Sequence, residues 1–260
     1  KPKQPVLRAV EYNNFSTVLT WNEVENAEGY YVYRKVSNGS WSKIGTTESL
    51  SFEDKTAKPG MTYTYTVSAY IDLAEGSYDE KGLTVSYLNT PAISTISNAA
   101  SGINITWKRV DGAVKYRVFR KKGTESWTRI ADTGSTNYTD RSAASGTTYA
   151  YTVRCIKADG KFASDYDKNG KSLIRLSTGN VKSIANAAKG MRLTWTKING
   201  AQGYIIYRAY GSGAYKAIKT ITSGTTLNYT DTSATVNGGK YSYAVCGYRG
   251  SVKGTYIGKS

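Results

Sequence analysis

The chain repeats three times, and that repetition limits its architecture more than any other feature. Trp21, Trp107 and Trp195 each close an apolar-polar-Trp pattern, at spacings of 86 and 88 residues. Nine residues after each Trp comes Tyr30, Tyr116 or Tyr204, within the phrases GYYVYRK, KYRVFRK and GYIIYRA. Trp41, Trp127 and Tyr215 then open runs that reach Ile44, Ile130 and Ile218. Phe52-Glu53-Asp54, Tyr138-Thr139-Asp140 and Tyr229-Thr230-Asp231 follow. Each unit then reaches a run of period two: Tyr63-Thr64-Tyr65-Thr66-Val67, Tyr149-Ala150-Tyr151-Thr152-Val153 and Tyr241-Ser242-Tyr243-Ala244-Val245. Landmarks in one order, three times over, divide the chain into units 1–88, 89–176 and 177–260. The junctions, near Leu88-Asn89-Thr90 and Leu176-Ser177-Thr178, hold no Gly/Ser-rich or Pro-rich spacer, so a semi-rigid rod is expected.

Hydrophobicity inside each unit alternates with period two, and Gly, Asn and Ser clusters such as Ser37-Asn38-Gly39-Ser40 punctuate the runs. That pattern describes short strands joined by tight turns, with no amphipathic helix. A unit of this length with about seven strands points to an all-β, two-sheet antiparallel sandwich large enough to close its own core. The third unit has only four residues after Tyr256, so its last strand is expected to be short or the piece to have been cut there.

The recurring Trp (Trp21, Trp107, Trp195), the recurring Tyr (Tyr30, Tyr116, Tyr204) and Pro59-Gly60-Met61-Thr62-Tyr63 resemble fibronectin type III domains. The resemblance covers the whole chain and implies three tandem immunoglobulin-like sandwiches of seven strands. It also implies a tyrosine corner at Tyr63, Tyr149 and Tyr241, where a buried phenol hydrogen-bonds nearby backbone. Ser145 and Asn237 replace the corner proline in the later units, which weakens the turn and leaves the fold expectation intact. The GYxVYR phrasing looks most like the tandem copies of Gram-positive cell-surface and secreted proteins, so an extracellular or cell-surface place in a larger bacterial protein is expected.

Histidine is absent from the 260 residues, which removes the commonest general base and the commonest metal ligand. Cys155 and Cys246 fall in different units, excluding a disulfide framework and a thiolate zinc site. Repetition places Cys155 inward and Cys246 outward on their strands, so Cys246 is the thiol expected to be accessible. No apolar run approaches the ~18 residues of a membrane helix, and the start at Lys1 is expected of a mature product or an excised piece. No acid pair recurs for glycosidase chemistry. An enzyme is therefore not expected, nor any cofactor, catalytic residue or bound metal. A monomer is.

Charge divides unevenly. Lys plus Arg against Asp plus Glu stands at 9 to 11 in residues 1–88, 15 to 7 in 89–176, and 11 to 1 in 177–260, giving the chain its net +16. Such a field attracts polyanions over a Debye length, ~8 Å at physiological salt, without reading sequence. The candidate contacts are Arg120, Lys121, Lys122, Arg129, Arg208, Lys216, Lys219, Arg249 and Lys253. The partner would be an anionic polysaccharide or cell-wall polymer; a plain solubility surface is the alternative. No nucleic-acid-binding motif accompanies the charge.

Alternation also puts Tyr33, Phe119 and Tyr207 on the outer face, near Trp41, Trp127 and Tyr215 across the following hairpin. With Arg34, Arg120 and Arg208 beside them, these aromatics read either as scaffold or as a sugar-stacking platform. Asp165-Tyr166-Asp167-Lys168-Asn169-Gly170 matches half a calcium loop but has Leu176 where a bidentate Glu is needed. Arg249-Gly250-Ser251 lacks the Asp of an integrin-binding tripeptide. Asn-x-Ser/Thr triplets begin at Asn14, Asn38, Asn104, Asn137 and Asn228 and matter only in a eukaryotic source.

Overall fold

Period-two alternation becomes strands in the computed structural model, which describes residues 1–13 and 16–260. The first unit holds β1 (Leu7–Asn13), β2 (Ser16–Trp21), β3 (Gly29–Val36), β4 (Ser42–Thr47), β5 (Ser51–Asp54), β6 (Met61–Ile71), β7 (Ala74–Glu75) and β8 (Leu83–Tyr87). The second holds β9 (Ile93–Ala99), β10 (Gly102–Trp107), β11 (Lys115–Lys122), β12 (Thr128–Thr133), β13 (Asn137–Asp140), β14 (Thr148–Ile156) and β15 (Lys171–Ile174). The third holds β16 (Val181–Ala187), β17 (Gly190–Trp195), β18 (Gly203–Tyr210), β19 (Lys216–Ile221), β20 (Asn228–Asp231), β21 (Tyr241–Arg249) and β22 (Val252–Lys253).

The six sheets make three sandwiches. β1-β2-β5 faces β4-β3-β6, with β7 and β8 both running along β6. In the second unit β13-β10-β9 faces β12-β11-β14-β15, and in the third β16-β17-β20 faces β19-β18-β21-β22. The last strand of every unit is interrupted. Between β7 and β8 the chain leaves β6 over residues 76–82; β14 loses its partner between the Ile156–Phe162 bridge and β15; β21 loses its own between β22 and the Tyr243–Lys259 bridge. β22 is two residues long, like β7 of the first unit, and after Tyr256 the chain returns to β21 only at the Tyr243–Lys259 bridge.

The inward residues meet in separate cores centred on the repeated landmarks. Trp21 packs edge-on against Tyr30 at 5.4 Å, Trp107 against Tyr116 at 5.5 Å and Trp195 against Tyr204 at 5.4 Å. Each such pair contributes ~0.5–1.5 kcal/mol beyond area burial. The Tyr30, Tyr116 and Tyr204 phenols accept the N–H of Val24, Val110 and Ile198 at 3.1, 2.9 and 3.2 Å, pinning the loop into β3, β11 or β18. The corner tyrosines accept backbone N–H groups five residues upstream: Lys58 to Tyr63 at 2.8 Å, Ala144 to Tyr149 at 3.3 Å and Val236 to Tyr241 at 3.1 Å. The shortest of the three is the one beside Pro59.

The joints are packed. Leu88 N–H donates to the Ala163 carbonyl at 2.8 Å, and Phe162 of the second unit lies against the core of the first. At the next joint Asn98 accepts the Leu176 N–H at 3.0 Å and donates to the Ile174 and Lys253 carbonyls, both at 3.2 Å. Arg175, buried, donates to the carbonyls of Ala99 at 2.9 Å and Leu176 at 2.8 Å.

Candidate functional site

Parity along a strand decides where each charged residue goes. Arg34 shares the parity of Tyr30 and Val32, so it turns toward the core and not toward Trp41. Its Nη1 donates to Asp54 Oδ2 at 2.7 Å; Tyr65 Oη donates to the same oxygen at 2.8 Å, and Thr56 N–H and Oγ1 satisfy Oδ1 at 2.8 and 2.7 Å. Arg120 repeats this on Asp140 at 2.7 Å with Tyr151 and Ser142, and Arg208 on Asp231 at 2.8 Å with Tyr243 and Ser233. Burial raises these carboxyls, but the hydrogen bonds outweigh it and hold all three below the ordinary carboxylate value. Arg34 and Arg120 also cover the corner rings of Tyr63 and Tyr149 at 4.7 Å, and Arg208 that of Tyr241 at 5.5 Å. The expected Arg beside each outer aromatic is thus corrected: the cation over Trp41 is Lys35, at 4.4 Å, and over Trp127 it is Lys121, at 4.6 Å.

The outer aromatics do gather, under a roof the sequence reading did not include. Where the last strand leaves the sheet it carries Tyr78, Tyr166 or Tyr256 over them. Tyr78 meets Tyr33 at 5.3 Å and Trp41 at 6.0 Å; Trp127 meets Tyr166 at 6.5 Å; Tyr256 stacks on Tyr207 at 4.7 Å and meets Tyr215 at 6.0 Å. All six predicted platform residues are consequently half-buried. Burial, followed by the Glu75 hydrogen bond, pushes the Tyr33 phenol up to about 12. In the second unit Phe119, Trp127, Arg154, Phe162 and Tyr166 leave a recess of about 200 Å³ between them.

The same roof corrects the reading of Cys246. Its thiol is buried and donates to the Gly254 carbonyl at 3.2 Å, and burial raises its pKa. The equivalents Ser68 and Arg154 are buried too. Arg154 lies 3.6 Å over Phe162, its Nε donates to the Ser164 carbonyl at 2.7 Å, and burial lowers its pKa to about 10. Cys155 is buried, with a pKa pushed up to about 11 by burial.

Of the nine cations predicted to meet a polyanion, Arg120 and Arg208 serve the buried aspartates, and Arg129 shares Asp132 with Arg117, both at 2.8 Å. Arg249 donates to the Gly200 carbonyl at 3.2 Å, and Lys121 covers Trp127. Lys122, Lys216, Lys219 and Lys253 are exposed. The half calcium loop is also redirected: Asp165 accepts the phenols of Tyr12 and Tyr87 across the joint, and Asp167 Oδ1 caps the Asn169 N–H at 2.9 Å. Asn104 Nδ2 donates to Thr139 at 3.0 Å within its sheet, while the triplet at Asn14 lies outside the described residues. Among the described residues no cluster of three metal-ligating side chains forms, and no helix is long and apolar enough to cross a membrane.

No family model matches the chain. Exoglucanase B of Cellulomonas fimi is 28% identical over 236 residues, which cover 80% of this chain and 20% of that protein. Receptor-type tyrosine-protein phosphatase eta of Gallus gallus is 24% identical over 250 residues, covering 88% and 17%. Amylopullulanase of Thermoanaerobacterium saccharolyticum is 24% identical over 303 residues, covering 94% and 23%. The chain spans about a fifth of the length of these curated relatives. Among solved structures, the FN1-FN3 domains of chicken CNTN1 align over 99% of this chain and 97% of that one, at 15% identity and a TM-score of 0.30.

Proposed function

We propose that this tandem array of three fibronectin type III-like domains is a non-catalytic spacer and interaction segment of a larger extracellular bacterial protein. Its second and third domains contact anionic cell-wall polymers or acidic polysaccharide. The observation that carries this reading is the fate of the acids in those domains. Asp140 and Asp231 are buried and neutralised from within and Asp132 is shared by two arginines, while Asp111, Glu125, Asp159 and Asp167 of the second domain stay exposed, so the field is strongest on the third. Asp231 is the only acidic side chain of the third domain, so Lys216, Lys219 and Lys253 project with no exposed carboxylate side chain in their own domain to offset them. A polyanion then meets a diffuse positive field that weakens with salt. Relatives about five times the length of the match support a segment of something larger. The absence of histidine and the buried, high-pKa thiols support a non-catalytic role. The test is co-sedimentation with purified Gram-positive cell walls: retention at low salt, loss at high salt, and weakening by Lys216→Glu with Lys219→Glu are expected. No retention at either salt would leave the spacer role alone.

A second reading, a carbohydrate-binding module, is favoured by the aromatic recess at Phe119, Trp127 and Tyr166. Stacking on neutral sugar hardly responds to salt. It would appear as salt-insensitive retention that Trp127→Ala abolishes and the lysine reversals leave intact.

A further inference from the structure

The recess at Phe119, Trp127, Arg154, Phe162 and Tyr166 is lined by the second domain alone, on the outer face of the sheet shared by β11 and β14. It therefore depends on neither end of the array. Its floor differs from those of the neighbouring domains. Under the tyrosine roof the long strand places Ser68 in the first domain, Arg154 in the second and Cys246 in the third. In the first domain Ser68 Oγ donates to Glu75 at 2.6 Å and the Tyr33 phenol to the same oxygen at 2.7 Å, so that floor is acidic. In the third, the Cys246 thiol is turned to the Gly254 carbonyl. Of the three floors only the second is a cation, and Arg154 is just 3% exposed.

A buried guanidinium favours negative charge brought to it, because little water is there to screen the attraction. The rings of Phe162, Tyr12 and Tyr166 lie 3.6, 5.4 and 5.5 Å from it, and burial lowers its pKa to about 10. Lys121 stands at the rim, 4.6 Å over Trp127. The acids of this flank are engaged elsewhere: Asp132 with Arg117 and Arg129, Asp165 with Tyr12 and Tyr87, and exposed Asp167 with the Asn169 N–H. Among the lining side chains the guanidinium and the indole donate only, and the Tyr166 hydroxyl is the one acceptor. A carboxylate, which accepts only, suits that set better than the hydroxyls of a neutral sugar. The aromatic walls in turn call for a flat carbon face, which a polyol phosphate lacks. About 200 Å³ is less than the ~300 Å³ of a drug-sized pocket and matches a single ring.

We propose that this flank of the second domain is a subsite for one uronic acid ring of an acidic polysaccharide, its carbon face against Trp127 and Tyr166 and its carboxylate toward Arg154 and Lys121. The subsite rests on the carbohydrate-binding reading above and gives that site its substrate class. Unlike the diffuse field of the third domain's lysines, it selects by ring as well as by charge.

Calorimetric titration of the full chain with a trimer of galacturonic acid, and with the methyl ester of the same trimer, tests this at ~0.15 M salt, where the Debye length is ~8 Å. The acid is expected to bind at least about tenfold tighter than the ester, the worth of one charge-assisted hydrogen bond. Trp127→Ala should abolish binding of both. Arg154→Met, which keeps the apolar stem, should erase the preference, with circular dichroism checking that it folds. Lys121→Glu, a change at the rim, should weaken the acid more than the ester and keeps the test decisive if Arg154→Met does not fold. Equal affinity for acid and ester would overturn the proposal and leave the carbohydrate reading standing. Binding of the acid that survives Trp127→Ala would also overturn it, since that marks the diffuse field. No binding of either trimer would overturn the proposal together with the reading beneath it.

Discussion

Asp231 shows how one residue can be both landmark and keystone. It is 1% exposed and holds Arg208, Tyr243 and Ser233 on its two oxygens. Its folded carboxyl lies below the ordinary value despite burial, so its contribution to stability is fully present above the unfolded pKa, about 3.9. That contribution is lost as pH falls through the folded value. Asp231→Asn is therefore expected to cost about 3 kcal/mol at pH 7, because Arg208 and the buried Tyr243 phenol lose the carboxylate they donate to. In denaturant titrations the gap between variant and wild type should narrow steadily below pH 4; a constant gap would mean that the carboxylate's charge is not what stabilises. At the other extreme of reactivity, both thiols are buried with raised pKa values. Neither Cys155 nor Cys246 should react with an aromatic disulfide reagent until denaturant is added, and fast labelling of Cys246 would contradict the roof over it.

At the level of the element, the interrupted last strand explains most of what the outer face does. Gly170 sits where the chain returns to the sheet, with φ of +66°, and a Cβ there would lie 2.5 Å from the Tyr151 carbonyl and 2.7 Å from Trp127 Cη2. Gly123 has a similar φ of +55° and nothing within 4 Å of its would-be Cβ. Gly123→Ala should cost about 1 kcal/mol for the left-handed backbone alone, and Gly170→Ala at least ~2 kcal/mol more from the clash. Thermal melts of the two variants separate backbone from packing; equal losses would show that the Trp127 contact is soft. The sheets themselves were legible in the sequence, because period two survives in the strands that carry the landmarks, such as Ser16–Trp21 and Gly102–Trp107. The placement of Arg34, Arg120 and Arg208 was expected wrongly, beside the outer aromatics, although the parity that turns Val32 inward does the same for Arg34. The tyrosine roof was not legible, because Tyr78, Tyr166 and Tyr256 lie on a stretch that has left the ladder and lost the alternation. In the third unit Tyr256 stands two residues before its glycine, where the others stand four, so repetition gave no warning either.

For the whole molecule, the question is whether three domains behave as one object. The sequence pointed to stiffness by lacking a spacer, and the joints add side-chain contacts that no spacing rule identifies. Arg175 is the clearest of these. Buried at the second joint, it donates to the carbonyls of Ala99, Ala100 and Leu176 while Asn98 holds the Leu176 N–H and reaches Lys253 in the next domain. Ala100 is exposed and also accepts the Thr178 hydroxyl at 3.3 Å, but the Leu176 bond is buried, and stranding a buried acceptor costs about 1–3 kcal/mol. That sum is small against the folding of a sandwich and large against the orientation of a joint. Arg175→Met, which keeps the apolar stem and removes the donors, should therefore leave each domain folded while freeing the third to swing. Small-angle scattering in dilute solution is expected to show a shorter, broader distribution of end-to-end distances than wild type, with circular dichroism unchanged. If the distribution stays as it was, the stiffness comes from the short linker alone, and the arginine cage is only a cap on the turn between β9 and β10.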